Sequence, residues 1–94
     1  MVKVITIGAA VQDVFLSHSD EFEPVSEKNS DELFLQLELG AKVDVNSISF
    51  STGGGATNGA VTFARQGMEA QFVGVIGRDP AGQAVLDELD KENV

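Results

Sequence analysis

The sequence predicts an α/β fold in which two parallel strands flank a helix and a small antiparallel ribbon is inserted before that helix. Residues 2–7 and 71–76 are short runs rich in β-branched apolar residues, typical of parallel strands buried on both faces. Between them, small apolar residues recur at helical spacing from residue 56 to residue 67. Residues 33–51 alternate apolar and polar side chains with the period of a strand. A chain of 94 residues can form one domain at most.

The first half of the chain predicts a strand, a loop and the ribbon. Gly8 ends the first strand, and an extended pattern resumes over residues 14–16. Residues 19–32 contain six acidic residues and few apolar ones, which predicts a mobile surface loop. We expect residues 33–39 and 43–51 to pair as the two strands of the ribbon. An isolated ribbon is only marginally stable, so its leucine-rich face should cover something or meet a partner subunit.

The second half predicts a strand between two helices. A helix of about three turns should begin near Gly55, and residues 71–76 should form the second sheet strand. Asp79 is typical of an N-cap and Pro80 of the first helical position, so a second helix is predicted there. Two parallel strands do not complete an α/β domain, and we therefore expect an N-terminal piece of a longer protein.

Composition and charge exclude several classes of function. Hydrophobic residues are 43% and charged residues 22%, which indicates a folded domain. The net charge of −9 opposes binding to nucleic acid or to anionic membranes. No apolar run approaches the roughly 18 residues that span a bilayer, and the N-terminus lacks a signal-peptide pattern, so we expect a cytoplasmic protein. The absence of cysteine excludes disulfides, thiolate metal sites and cysteine nucleophiles.

Three glycines, Gly53 to Gly55, precede the first helix and expose backbone N–H groups at its N-terminus. A P-loop would need a lysine that is missing here, and a dinucleotide fingerprint would need glycine where Asn58 stands. Two interpretations remain open. The glycines either end the ribbon and open the helix, or they remove side chains so that a ligand can approach the backbone. In the second case Asn58 could form hydrogen bonds in the same space.

Asp13 lies just beyond the carboxyl end of the first strand, where ligands bind in open α/β sheets. Its carboxylate could accept hydrogen bonds from two neighbouring hydroxyls, and the alternative is a solvated aspartate in a turn. The strand–helix–strand unit should bring Asp13 together with the glycine run. His18, the only histidine, cannot form a metal site alone, and we interpret Arg65 as a solvated charge.

A set of small residues at fixed offsets resembles the N-terminal signature of the ribokinase-like, or PfkB-type, carbohydrate kinase family. The segments that carry the resemblance are Gly8 with Asp13, then Gly54-Gly55-Ala56-Thr57-Asn58-Gly59-Ala60, Gly67, and Gly77-Arg78-Asp79-Pro80-Ala81-Gly82. It covers both ends of the chain and leaves residues 19–50 without a match. Residues 1–94 would then be the N-terminal part of a ribokinase-like kinase domain, with a β-lid inserted at about residues 14–51.

The resemblance implies an ATP-dependent sugar kinase that uses Mg²⁺ and transfers the γ-phosphoryl group to a hydroxyl of a carbohydrate. The ribbon would be the lid over the sugar, and two lids often form a homodimer. By position, Asp13 would hold sugar hydroxyls, Gly54 would let the sugar approach the backbone, and Asn58 would hydrogen-bond the sugar. Gly53 and Gly55 would support that approach.

Departures from the family pattern narrow this expectation. Gly55 replaces the lysine of ribokinases proper, which argues against ribose, and Ala9 replaces an asparagine of adenosine-type members, which argues against a nucleoside. The family's catalytic aspartate and ATP site have no counterpart here, so we expect the isolated chain to be inactive and to bind no cofactor. The alternative is a non-catalytic domain for sugar binding or assembly on the same scaffold.

Overall fold

A computed structural model describes residues 1–17, 22–29 and 31–94. Its eight elements, in chain order, are β1 (Lys3–Ile7), β2 (Val11–Leu16), β3 (Pro24–Ser26), β4 (Leu33–Leu35), β5 (Ile48–Gly53), α1 (Gly55–Arg65), β6 (Glu69–Val73) and α2 (Pro80–Lys91). The chain divides into two compact units. We call residues 1–14 with 50–94 the α/β unit, and residues 15–49 the inserted unit.

The α/β unit is built on the parallel pair of β1 and β6, in register from Lys3 opposite Glu69 to Ile7 opposite Val73. Helix α1 packs against both strands. The hydroxyl of Thr6 donates to the carbonyl oxygen of Ala56 at 2.7 Å and so ties the start of α1 to β1. Small residues such as Ala60 are buried at this contact, because a helix without bulky side chains can approach a sheet closely. The predicted α/β fold is confirmed.

The prediction that both parallel strands are buried on both faces is wrong. Helix α1 covers the face that carries Val4 and Thr6, whereas Ile5 and Ile7 are 58% and 78% exposed. Side chains alternate across a strand, so one helix can cover only every second residue. Strand β6 also begins and ends earlier than residues 71–76, because β1 is five residues long and its pairing ends at Val73.

The predicted pairing within residues 33–51 is also wrong. Strand β4 pairs antiparallel with β3, with Leu35 opposite Pro24 and Leu33 opposite Ser26, and β5 pairs with β2. The segment predicted as a loop therefore contains β3. Asn29 has a φ of 68°, a conformation that asparagine tolerates, so the chain can turn between β3 and β4. His18 and residues 19–21 and 30 of the predicted loop lie outside the described residues.

Helix α2 begins where its sequence signals place it. The Asp79 side chain accepts a hydrogen bond of 2.8 Å from the Gly82 amide, and Pro80 is the first helical residue. Val85 and Leu89 are buried on one face of the helix. The predicted N-cap is confirmed, because all of its atoms lie within four residues of one another in the chain.

Candidate functional site

The glycine run joins the end of β5 to the start of α1. Gly53 is the last residue of β5, Gly54 is the N-cap with φ of 106° and ψ of 142°, and Gly55 is the first helical residue. A Cβ atom on Gly54 would lie 2.8 Å from the carbonyl carbon of Ala9 and 2.9 Å from the Cα of Ala10. The backbone of residues 9–10 thus already occupies the space beside Gly54, and this contact alone requires glycine there.

Thr57 anchors the first turn of α1 to the glycine run. Its buried hydroxyl lies 2.5 Å from the carbonyl oxygen of Gly53 and 3.0 Å from that of Gly54, and donates to them. The amide of Asn58 donates to the same Gly54 carbonyl at 2.9 Å. Thr57 was not among the predicted site residues. A threonine four residues after a helix-opening glycine could have indicated it, since its hydroxyl commonly bonds a carbonyl one turn back.

Asp13 lies beside Gly53 and belongs to a strand, so the alternative of an aspartate in a turn is wrong. It is the third residue of β2, and its exposed carboxylate oxygen Oδ2 lies 3.1 Å from the position that a Cβ on Gly53 would take. Val11, on the same face of β2, is 3.5 Å from that position. The chain forms a strand here because Val11 to Leu16 can pair with β5. The structure therefore brings Asp13 next to the glycine run by strand pairing.

Asn58 is exposed in the first turn of α1 and lines a cleft of about 290 Å³, which we call the helix cleft. Residues of β5, α1 and α2, together with Glu92 at the end of α2, line this cleft. They are Thr52, Thr57, Asn58, Val61, Thr62, Arg65, Val85, Glu88, Leu89 and Glu92. Asp13 is not in this lining. Of the predicted site residues, the structure groups Asp13 with Gly53, and it connects Asn58 to them only through the glycine run.

An ion pair between Arg65 and Glu92 forms part of the lining of the helix cleft. The Arg65 Nε donates to Glu92 Oε2 at 2.8 Å, and the Nη2 donates to Oε1 in a second, shorter hydrogen bond. The Arg65 side chain is 66% exposed, as predicted for a solvated charge, but it is also paired with Glu92, whose side chain is 14% exposed. The two residues are 27 positions apart, so only the packing of α1 near α2 could bring them together.

The ion pair changes the acid–base behaviour of both partners. Hydrogen bonding and the positive charge of Arg65 lower the pKa of Glu92, and hydrogen bonding followed by the charge of Glu92 raises the pKa of Arg65. A carboxylate whose pKa is lowered by folding stabilises the folded state when the pH is above the pKa that the group has in the unfolded chain. That contribution is lost as the pH falls through the folded pKa.

This sign gives a testable pH dependence. We expect Glu92→Gln to lower the free energy of unfolding of the chain at neutral pH and to have no effect once the pH is well below about 4. The difference should also shrink in high salt, because exposed charges are screened. Urea denaturation at several pH values measures it, with Asp90→Asn as the control for loss of a more exposed acid on α2. A difference that stays constant with pH would contradict the assignment.

Comparison with known proteins identifies the family. A sequence profile described as "pfkB family carbohydrate kinase" matches residues 19–94. The chain belongs to the pfkB family. It is also 35% identical over 60 residues to a Pyrococcus horikoshii protein named "Putative sugar kinase PH1459", a match that covers 64% of this chain and 19% of that protein. The pfkB chain thus spans about a fifth of the length of this curated relative.

The profile match confirms the resemblance and extends it. It includes residues 19–49 of the inserted unit, which the motifs had left without a match, and it begins after Asp13. Membership in the pfkB family therefore rests on the glycine run, α1, β6 and α2 together with the inserted unit. In the part of the pfkB chain that the structure describes, neither α1 nor α2 has the length and apolar character that crossing a membrane requires.

Proposed function

We propose that this chain supplies the acceptor-binding part of an ATP-dependent carbohydrate kinase, in which the γ-phosphoryl group passes to a sugar hydroxyl. Membership in the pfkB family and similarity to a protein named as a sugar kinase support the reaction type. The observation that carries the proposal is the position of Asp13. Any side chain on residue 53 would crowd the Oδ2 atom of Asp13. Glycine at residue 53 therefore keeps the Asp13 carboxylate accessible.

The residues of this region offer the groups that recognise a sugar. An ionised Asp13 can accept hydrogen bonds from two neighbouring hydroxyls, and charged hydrogen bonds of this kind are stronger than neutral ones. The side-chain amide of Asn58 can both donate and accept. Gly55 lies at the N-terminus of α1. A Cβ atom on this residue would have no heavy atom within 4 Å other than those of its chain neighbours and the backbone of its own helix, so the space beside the backbone is open. We assign these residues to holding and orienting the acceptor.

Two features of the chain support the proposal that ATP and Mg²⁺ bind to other residues. Within residues 1–17, 22–29 and 31–94, no three histidine, aspartate or glutamate side chains are grouped so that they could hold a metal ion. The residues that directly follow the glycine run, Ala56, Thr57 and Asn58, include no lysine. When bound, ATP supplies the phosphoryl group and Mg²⁺ neutralises its charge. We propose that residues other than these 94 bind both.

The 94-residue chain should therefore bind acceptor without phosphorylating it. Incubation with ATP, Mg²⁺ and a panel of sugars should yield no phosphorylated product above background, whereas a neutral sugar should shift the NMR amide signals of Gly53 and Gly54. Substitution of Asp13 by alanine should abolish those shifts. Turnover by this chain would contradict the assignment of ATP binding to other residues. Failure of every sugar to shift those signals would contradict the acceptor site.

We also propose that the protein is cytoplasmic. A separate proposal is that two copies form a homodimer through the inserted unit. Leu33 and Leu35 lie on one face of β4 and are 68% and 58% exposed, which is the kind of surface that a second copy could cover. Residues 15–49 contain eight acidic residues against two lysines, so two inserted units repel each other electrostatically.

The dimer should accordingly strengthen as salt rises. Sedimentation experiments on the chain are expected to show more dimer in high salt than in low salt, because screening weakens the repulsion. Leu35→Asp should give a monomer at all salt concentrations. Leu39→Asp adds the same charge at a fully exposed residue outside β4 and should leave the dimer unchanged. A dimer that weakens with salt, or that survives Leu35→Asp, would contradict this arrangement.

A further inference from the structure

A second cleft adjoins the helix cleft within the α/β unit. It has a volume of about 340 Å³ and is lined by Gln12, Phe50, Ser51, Thr52, Ala84 and Glu88. Thr52 and Glu88 line both clefts, which are therefore adjacent, and we call the two together the polar groove. Each part is close to the lower end of the range of about 300–1,000 Å³ that is typical of small-molecule sites.

The polar groove lies on the face of β5 opposite Asp13. Side chains alternate along a strand, so Thr52 points away from the face on which Gly53 meets Asp13. Gln12 and Asp13 alternate in the same way on β2, and Gln12 lines the groove. The groove therefore extends from Asn58, at the start of α1, into a region that the glycine run and Asp13 do not reach.

The groove contains one carboxylate that is not engaged in an ion pair. Arg65 and Glu92 bind each other, which leaves Glu88 as the remaining ionisable group of the lining. Glu88 is half-buried and makes no ion pair with the described residues. Its charge contributes to the raised pKa of Arg65, but the guanidinium is already occupied by Glu92.

The other polar groups of the groove suit hydroxyls. The hydroxyl of Thr62 donates to the Asn58 carbonyl oxygen at 2.8 Å, and that of Thr57 donates to the glycine run, so both present only acceptor lone pairs to a ligand. The side-chain amides of Gln12 and Asn58 can donate as well as accept. The groove thus offers several acceptors, a few neutral donors and no unpaired positive charge.

We infer that the polar groove is a binding site for the hydroxyls of an uncharged polyhydroxylated ligand, with Glu88 as the residue that determines specificity. The inference rests on the proposed function, since it extends the acceptor site from Asn58. The Glu88 carboxylate accepts hydrogen bonds from neighbouring hydroxyls. The negative charge of a phosphate group would instead be repelled by the Glu88 carboxylate, and the groove has no unpaired cation to offset that repulsion. Binding of a sugar that already carries phosphate is therefore disfavoured.

Titration of the 94-residue chain followed by NMR tests this site. The probes are D-fructose, D-glucose and D-fructose 6-phosphate. We expect one or both neutral sugars to shift the amide signals of Asn58 and Glu88, and the sugar phosphate to bind at least about 10-fold more weakly than D-fructose. Glu88→Gln, which keeps the shape of the side chain, should weaken binding of the neutral sugar about 10-fold.

Two further variants make the test specific. Glu88→Lys should reverse the preference, so that D-fructose 6-phosphate binds more tightly than D-fructose. Asp87→Asn removes one negative charge from the next residue of α2, which is outside the groove lining, and should leave both affinities unchanged. Dispersed amide spectra establish that each variant is folded, and if Glu88→Lys does not fold, the comparison of Glu88→Gln with Asp87→Asn decides.

The outcomes separate this inference from the function on which it rests. Shifts confined to the region of Asp13 and Gly53, with Glu88→Gln binding as tightly as the original chain, would overturn the groove site and leave the acceptor site intact. Tighter binding of D-fructose 6-phosphate than of D-fructose would also overturn it. If no probe shifts any amide signal, both the groove site and the proposed acceptor site are overturned.

Discussion

Replacement of Asp13 by alanine in the full-length enzyme is expected to raise the KM for the acceptor sugar about 100-fold or more. We propose that the carboxylate accepts two hydrogen bonds from the sugar, and each hydrogen bond to a charged group is worth about 1.5–3 kcal/mol. The KM for ATP should change less than about twofold, because ATP is proposed to bind elsewhere. Steady-state kinetics with each substrate varied in turn measures the two effects.

Two variants control this experiment. Asp90→Ala removes an exposed acidic side chain from α2, far along the chain from the glycine run, and should leave both KM values unchanged. Asp13→Asn keeps the size of the side chain and removes only its charge. Its KM for the acceptor sugar should therefore lie between the values of the original enzyme and of Asp13→Ala. Equal losses in the use of sugar and of ATP would show that Asp13 has a general structural role and does not hold the acceptor.

Gly54→Ala is expected to produce the largest loss of stability of any single methyl addition in the glycine run. Its backbone has φ of 106° and ψ of 142°, a region that residues with a Cβ adopt only at a cost of about 1–3 kcal/mol. The added methyl would also collide with the backbone of Ala9 and Ala10, which cannot rotate away as a side chain can. We expect the free energy of unfolding to fall by about 3 kcal/mol or more.

Gly55→Ala is the matched control, since it adds the same methyl group one residue later. Gly55 is helical and no heavy atom lies within 4 Å of its added Cβ, so alanine should leave stability unchanged or raise it by up to about 1 kcal/mol. Urea denaturation followed by far-UV circular dichroism compares the two variants. Similar stability of Gly54→Ala and Gly55→Ala would mean that the backbone of residues 9–10 does not constrain Gly54.

Local signals in the sequence were sufficient for the helices and the glycine run. Pro80 and the Asp79 cap define the start of α2 within a few residues, and the glycines before Ala56 define the start of α1. The same offsets between small residues indicated the pfkB family, which the profile match confirmed. Each of these features depends on residues that are close together in the chain, where geometry follows directly from residue type.

Strand pairing and long-range contacts could not be predicted in the same way. The alternation of leucines identified β4 but not its partner. A period of two shows which side chains share a face of the strand, but it does not show which other strand pairs with it. The position of Asp13 beside Gly53 depends on the pairing of β2 with β5, and the contact of Arg65 with Glu92 depends on where α1 and α2 lie. The sequence by itself determined the two helices, the first strand and the family. Only the tertiary structure decided which faces, charges and backbone segments meet, because those contacts join residues that are far apart in the chain.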